Sequence, residues 1–103
     1  MREQPVEIRS RDHWFKIVEF LQQNWALLDD NPDGSCTIHF VDDASRVFDR
    51  LTYPTREEAE GRLGGNGFSR FADDAHARSF LRAPQPPFHE RPYRIYSSGE
   101  HWS

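Results

Sequence analysis

The sequence predicts an α+β fold with an N-terminal helix, a three-stranded antiparallel β-meander, two short helices and an ordered, extended C-terminal arm. The first observation is the motif Asn31-Pro32-Asp33-Gly34, which lies between two short apolar runs and is typical of a β-hairpin turn. The second is the helical spacing of apolar residues before this turn. The third is the order of helix, three strands and helix with tight turns, which favours antiparallel pairing over βαβ units.

The N-terminal quarter predicts a helix from Arg11 to Gln23. Ser10 fits a helix N-cap, and Asp12 lies in the first turn, where the helix dipole favours an acid. Apolar residues follow at helical spacing: Trp14, Ile17, Val18, Leu21 and Trp25. Before the helix, the weak alternation of Val6 and Ile8 is compatible with a short edge strand.

The hairpin turn sets the register of the first two strands. A type I turn followed by a glycine bulge pairs Asn31 with Ser35. The pairs further out are Asp30 with Cys36, Leu28 with Ile38, and Ala26 with Phe40. Because strand side chains alternate, these outer pairs share the predicted core face. The second face carries Trp25, Leu27, His39 and Val41.

The next segment predicts a third strand, residues 46–53, after a tight turn at Asp42-Asp43-Ala44-Ser45. With a loop of two or four residues, Phe40 pairs with Val47 and Asp49 faces Ile38. This register adds three residues to the core face: Val47, Leu51 and Tyr53. On the second face it forms a mixed, aromatic row with flanking residues: Leu27, His39 and Phe48, with Trp25, Val41 and Arg50 beside them.

Two short helices are predicted after the meander. Thr55 fits the N-cap of the first, which ends at Gly64-Gly65. Residues 68–71 predict a fourth short strand. Asp73 or Asp74 then caps the second helix.

The character of the chain changes near residue 83, so we predict one domain over residues 1–82 and an arm over residues 83–103. Four prolines stiffen the arm, and it shows no helical period. The arm is nevertheless rich in aromatic rings: Phe88, Tyr93, Tyr96 and Trp102. A flexible linker rarely carries so many rings, which predicts that the arm packs on its own domain or on a neighbouring copy.

Length and charge narrow the classes of function. A chain of 103 residues fits one domain, and its formal net charge of −4 argues against nucleic-acid binding, which needs a concentrated basic surface. No apolar run approaches transmembrane length and no leader-like segment is visible, so we expect a cytoplasmic protein without a membrane partner. The single cysteine, Cys36, excludes an internal disulfide and is predicted to lie in the core.

No catalytic or metal-binding motif stands out. The five histidines lack zinc-type spacing, so neither a metal nor another cofactor is expected. The glycines between residues 61 and 67 follow a predicted helix, whereas a phosphate-binding loop precedes one. Ser69 lacks the second glycine of a nucleophile elbow. These observations favour a protein without enzymatic activity.

Three late segments resemble those of small uncharacterised bacterial proteins. The segments are Gly67-Phe-Ser-Arg-Phe-Ala-Asp-Asp74, Pro86-Pro-Phe-His-Glu-Arg-Pro92 and Tyr96-Ser-Ser-Gly99. The resemblance covers the last two-thirds of the chain. It implies a bacterial cytosolic protein, and it implies no activity and no site residues.

The second sheet face supplies the candidate binding surface, which consists of Trp25, Leu27, His39, Phe48 and Arg50. We expect a non-enzymatic protein-interaction or regulatory module that binds another protein or a second copy of this chain. One alternative is a small-ligand binder or enzyme with a pocket between the sheet and the arm, which uses His39 with Arg50 or Asp49. Another is a phage or mobile-element inhibitor that acts through an acidic surface.

Overall fold

The computed structural model describes residues 5–19 and 22–90, which form one seven-stranded mixed sheet and two short α-helices. The strands are β1 (Pro5–Val6), β2 (His13–Glu19), β3 (Gln22–Asp30), β4 (Cys36–Val41), β5 (Arg46–Tyr53), β6 (Ser69–Arg70) and β7 (Phe88–Glu90). The helices are α1 (Arg56–Gly65) and α2 (Ala75–Phe80), with a 3₁₀ turn at Phe71–Asp73. This sheet-rich architecture contradicts the predicted fold class.

The sheet is built around a four-stranded antiparallel meander. The strand order is β1-β7-β5-β4-β3-β2-β6, so β2 to β5 are adjacent in chain order. β7 runs parallel to β5 and antiparallel to β1, and β6 pairs antiparallel with β2. The predicted three-stranded meander therefore corresponds to the centre of a larger, mixed sheet.

The predicted helix over residues 11–23 is wrong, because this segment contains β2 and the start of β3. Trp14 packs against the cluster under α1, whereas its neighbour Phe15 is buried on the opposite face of the sheet. A strand that contacts apolar groups on both faces carries successive apolar residues, and such a run also satisfies helical spacing. Its aromatic and β-branched residues favour a strand, and pairing with β3 decides the outcome.

The predicted hairpin register between β3 and β4 is confirmed. The paired residues include Ala26 with Phe40, Leu28 with Ile38, and Asp30 with Cys36. At the turn, Asn31 N donates to Ser35 O at 2.8 Å. Gly34 has a φ of +93°, the left-handed conformation that the glycine bulge requires.

β5 is offset from its predicted register. Ile38 pairs with Leu51, whereas the prediction paired it with Asp49. The turn explains the offset, because Asp42 N donates to Arg46 O at 2.9 Å and thereby closes a loop of three residues. The prediction assumed a loop of two or four residues, and an odd number turns the first residues of β5 to the opposite face.

A β-bulge at Phe48 restores the predicted alternation for the rest of β5. Between the loop and the bulge, Val47 and Phe48 lie on the faces opposite to those predicted. The ladder pairs Val41 with Val47 and Phe40 with Asp49, so Phe48 is the extra residue. Phe48 packs beside Phe40 on the face that α1 covers, with ring centroids 6.3 Å apart. Val47 joins the cluster on the other face. The predicted faces of Val47 and Phe48 are therefore both wrong.

Each face of the sheet carries its own hydrophobic cluster. The α1 face buries Ala26, Leu28, Cys36, Ile38, Phe40, Phe48, Ala59, Leu63 and Phe68. The opposite face, called the strap face after residues 7–12 that cross it, buries Ile8, Phe15, Trp25, Leu27, Val41, Val47, Ala77, Leu81 and Phe88. The sheet is thus a central layer with apolar residues buried on both sides.

The helix boundaries follow local capping rules. Thr55 Oγ1 accepts from Glu58 N at 3.1 Å at the start of α1, and the helix ends at Gly65. Asp74 Oδ1 accepts from Ala77 N at 2.9 Å at the start of α2. These two helix starts and the short strand β6 agree with the positions that the sequence predicts.

A charge network connects α1 to the edge of the sheet. Asp12 Oδ2 accepts from Arg56 at 2.8 Å and from Arg70 at 3.0 Å. Glu60 Oε2 accepts from the same two side chains at 3.0 and 3.1 Å. The Arg70 guanidinium also lies 5.2 Å from the centre of the Trp14 ring. Since these side chains are about one-third exposed, the pairs position α1 more than they stabilise the fold.

Candidate functional site

Residues 7–12, the strap, connect β1 at one side of the sheet to β2 at the other. β1 pairs with β7, whereas β2 lies beyond β3. Between these strands, Ile8 is buried in the strap-face cluster that also contains Leu27 and Phe88. The strap therefore separates an apolar part of this face, which α2 covers, from a polar part that extends toward the β3–β4 turn.

Asp29 of β3 fastens the strap to the polar part of the sheet. Ser10 N donates to Asp29 Oδ1 at 2.8 Å, and Arg9 N donates to Oδ2 at 3.1 Å. The Arg9 side chain also donates, through Nη2, to Asp30 O at 3.1 Å. Asp29 is buried, and two backbone N–H groups hold its carboxylate in one orientation. Its position is consequently set before any ligand arrives.

His39 of β4 lies beside Asp29 and is 7% exposed. Its Nε2 is 3.4 Å from Asp29 Oδ2. Burial is the largest cause that lowers the pKa of His39, and together with the Arg50 charge it outweighs the opposing effect of Asp29, so the imidazole is neutral at pH 7. Because a carboxylate only accepts hydrogen bonds, the proton lies on Nε2. The unprotonated Nδ1 is buried and has no hydrogen-bond partner among the described residues.

A cavity of about 180 Å³, the strap pocket, opens next to these two groups. It is lined by Glu7, Arg9, Asp29, Asn31, Thr37 and His39. Asn31 Nδ2 donates to Thr37 Oγ1 at 2.9 Å and to Ser35 Oγ at 3.0 Å. Thr37 Oγ1 in turn lies 3.0 Å from Thr52 Oγ1. These hydrogen bonds connect the β3–β4 turn through β4 to β5, and they fix the side of the pocket that the sheet forms.

The described end of the arm lies near this pocket. Arg50 is opposite His39 in the β4–β5 ladder and forms an ion pair with Glu90 of β7. The Arg50 charge lowers the pKa of His39, and the Glu90 charge raises it, each less than burial or Asp29 does. The alternative hypothesis places a pocket between the sheet and the arm, with His39 and either Arg50 or Asp49; of these three residues, His39 alone lines the strap pocket. The wall of the strap pocket, however, comes from the strap instead of the arm.

Four of the five predicted surface residues are buried: Trp25, Leu27, His39 and Phe48. Trp25 and Leu27 are 0% exposed in the strap-face cluster, and Phe48 is buried under α1. The Trp25 ring packs 5.8 Å from Phe15 and 5.1 Å from Phe71, measured between ring centroids. The Trp25 and Phe48 rings therefore belong to the core, while His39 lines the strap pocket and Arg50 is paired with His39 in the β4–β5 ladder.

The arm is described as far as residue 90. Phe88 is buried in the strap-face cluster, and the Arg11 guanidinium lies 5.8 Å from the centre of its ring. The turn before β5 also contacts the arm, since Ser45 Oγ donates to Gln85 O at 2.7 Å. The remaining candidate rings lie outside the described residues: Tyr93, Tyr96 and Trp102.

Cys36 occupies the α1 face, as predicted, and is 0% exposed. Burial raises the pKa of its thiol, which keeps the sulfur protonated at neutral pH. The sheet separates this thiol from the strap pocket. Within residues 5–19 and 22–90, no three His, Cys, Asp or Glu side chains come together as a metal site would require.

No family model, curated protein or solved structure matches this chain. The resemblance to small bacterial proteins therefore stays an expectation, and any function has to be argued from the chemistry of the site. In the part of the chain that the structure describes, neither helix has the length and apolar character needed to cross a membrane.

Sequence reasoning named His39 and missed the rest of the pocket. Asp29 was not among the predicted site residues, although the hairpin register places it on the same face as Leu27 and His39. That alternation was the available signal. The strap offered no comparable signal, because Arg9 and Asp29 are 20 residues apart and their contact depends on the whole sheet.

Proposed function

We propose that this chain is a non-enzymatic binding module in which the strap pocket receives a side chain of a partner protein. The observation that carries the proposal is a set of polar lining groups that the fold already orients: Asp29, Asn31, Thr37 and His39. Oriented groups recognise a ligand at low entropic cost.

The Asp29–His39 pair is unsuited to acid–base chemistry. His39 Nε2 faces Asp29, and Nδ1 is buried, so neither nitrogen is presented to a substrate. The Thr37 hydroxyl is held between Asn31 and Thr52. A general base must lie within hydrogen-bond reach of the proton that it removes. These contacts support a structural role for His39, which orients Asp29.

The size of the strap pocket supports a side chain as its ligand. Its volume of about 180 Å³ is below the roughly 300–1,000 Å³ typical of sites for drug-sized molecules and cofactors. A partner protein can supply further contacts around the pocket, whereas a small molecule cannot. We place this module in the cytoplasm, in keeping with the buried, unpaired thiol of Cys36.

A small polar ligand is the second candidate, and the polar lining of the strap pocket favours it. The third hypothesis, an acidic surface that mimics nucleic acid, has less support. It needs an array of unpaired carboxylates on one side. Five described acidic residues are paired with arginines instead: Asp12, Asp30, Asp42, Glu60 and Glu90.

Filling the pocket tests the proposal. Thr37→Tyr places a ring in the pocket on a strand position that tolerates aromatic residues. Ser69→Tyr makes the same kind of change at an exposed position of β6, the edge strand beside β2. Wild-type protein and both variants, checked for folding by circular dichroism, are used as affinity baits in host lysate. We expect one protein to be captured by the wild type and by Ser69→Tyr, and to be lost with Thr37→Tyr.

Equal capture by both variants would contradict the proposal, because binding would then not depend on the pocket. Light scattering covers the case in which the partner is a second copy. A dimer that persists in Ser69→Tyr and dissociates in Thr37→Tyr identifies the chain as its own partner.

A further inference from the structure

Several lining groups of the strap pocket keep unused acceptor capacity. Both amide hydrogens of Asn31 are used, since Nδ2 donates to Ser35 and Thr37, which leaves Oδ1 as an acceptor. Asp29 has one backbone donor on each carboxylate oxygen and retains acceptor capacity. Glu7 adds a second carboxylate, which is exposed and makes no hydrogen bond or ion pair with the described residues.

The net formal charge of the lining residues is negative. Glu7 and Asp29 are two carboxylates, and Arg9 is the one cationic lining residue. His39 adds no positive charge, because its burial keeps the ring neutral, and the lone pair of its Nδ1 faces no donor among the described residues. Nearby Arg50 is paired with Glu90, so it does not reverse this balance.

The Arg9 guanidinium makes no hydrogen bond to the two carboxylates of the lining. Its backbone N–H donates to Asp29, while its Nη2 donates to the carbonyl of Asp30. Buried or half-buried acceptors without donors are unfavourable, and they are best satisfied by N–H groups that carry positive charge.

We propose that the strap pocket binds a cationic N–H donor, an alkylammonium or guanidinium group such as the end of a lysine or arginine side chain. Glu7 and Asp29 provide the opposite charge, and Asn31 Oδ1 provides a third acceptor. The proposal rests on the proposed function, because it names the chemistry of the side chain that the partner inserts. The chain's own net charge of −4 adds a weak, long-range attraction for such a partner.

Small cations test this chemistry without a partner protein. Butylammonium and ethylguanidinium are titrated into ¹⁵N-labelled full-length protein at constant ionic strength and pH 7.5. Tetramethylammonium has the same charge and no N–H group, and acetate reports anion binding. We expect the first two to produce saturable shifts in the amide signals of Arg9, Asn31 and Thr37, with millimolar dissociation constants. Tetramethylammonium should bind at least about fivefold more weakly, because it cannot donate hydrogen bonds.

A matched pair of variants assigns the binding to the pocket. Glu7→Gln removes one carboxylate from the lining and should weaken the binding of both N–H cations by about fivefold to tenfold, which is below the range for a buried charge-assisted hydrogen bond because Glu7 is exposed. Glu57→Gln makes the same substitution on α1, which covers the other face, and should leave the constants unchanged. The relative affinity of butylammonium and ethylguanidinium indicates whether lysine or arginine fits better.

Absence of saturable shifts, equal binding of tetramethylammonium, or preferential binding of acetate would each overturn the assignment of a cationic N–H donor. Equal weakening by Glu7→Gln and Glu57→Gln would overturn the assignment to the pocket. These outcomes are separate from the capture experiment. Capture that depends on Thr37, combined with no binding of small cations, leaves the binding module in place and rejects this ligand class.

Discussion

Replacing Ile38 with alanine tests the register and the packing of the sheet together. Ile38 is 0% exposed and pairs with Leu28 on one side and Leu51 on the other. The substitution removes three carbon atoms, at about 0.8 kcal/mol each for the transfer term. A cavity of a few tens of Å³ adds roughly 1 kcal/mol. We therefore expect Ile38→Ala to lower the free energy of unfolding by about 3–4 kcal/mol.

Ile17→Ala is the matched control, because it makes the same change in the same sheet. Ile17 is 43% exposed on β2, so the transfer term is roughly halved, and the open surface leaves little cavity. We expect about 1 kcal/mol for this variant. The helix that the sequence predicts would instead bury Ile17, so the comparison also distinguishes the two descriptions of residues 13–19.

Urea unfolding, followed by tryptophan fluorescence and circular dichroism, measures both variants. With a slope of roughly 1.5 kcal/mol per M for a domain of this size, Ile38→Ala should lower the midpoint by about 2 M. Ile17→Ala should lower it by less than about 1 M. Equal shifts for the two variants, or a larger shift for Ile17→Ala, would refute the assigned packing.

Two further predictions concern titrating groups. The pKa of His39 lies below the ordinary value of 6.5 because the ring is buried, so the unfolded chain takes up the proton first as the pH falls. His39 therefore costs no stability above about pH 6.5, whereas below this pH its burial lowers the free energy of unfolding progressively. In urea titrations at pH 7 and pH 5, we expect His39→Gln to lose less stability than the wild type. The Cys36 thiol is buried and has a raised pKa, so a thiol reagent should label it slowly in native buffer and rapidly in denaturant. Fast native labelling would contradict the packing of the α1 face.

The parts of the fold that could be predicted from sequence are those with a local cause. The β3–β4 hairpin follows from one turn motif, in which Gly34 supplies the left-handed residue. The starts of both helices follow from the side chains of Thr55 and Asp74, each of which accepts from an N–H three residues ahead. In each case the interacting groups are within a few residues, so no knowledge of the remaining structure is needed.

The parts that failed have non-local causes. β2 resembles a helix in its apolar spacing because the sheet is covered on both faces, and coverage is a property of the whole domain. Before β5, Ser45 adopts the left-handed conformation that a three-residue loop requires. Glycine is the residue that usually indicates this conformation in a sequence. The bulge at Phe48 then compensates for the odd loop, and neither feature has a strong signal in the sequence.

The strap pocket has both local and non-local causes, which explains why only part of it can be predicted from the sequence. Asp29 and His39 share a face because the β3–β4 turn sets their register, and a slip of one residue would turn His39 to the α1 face. The turn therefore determines where the carboxylate and the imidazole meet. The N–H groups of Arg9 and Ser10 reach Asp29 because the strap begins at β1, which pairs with β7 at the other side of the sheet. The polar residues on β3 and β4 could thus be found by alternation, whereas the strap that makes them a pocket depends on the completed sheet.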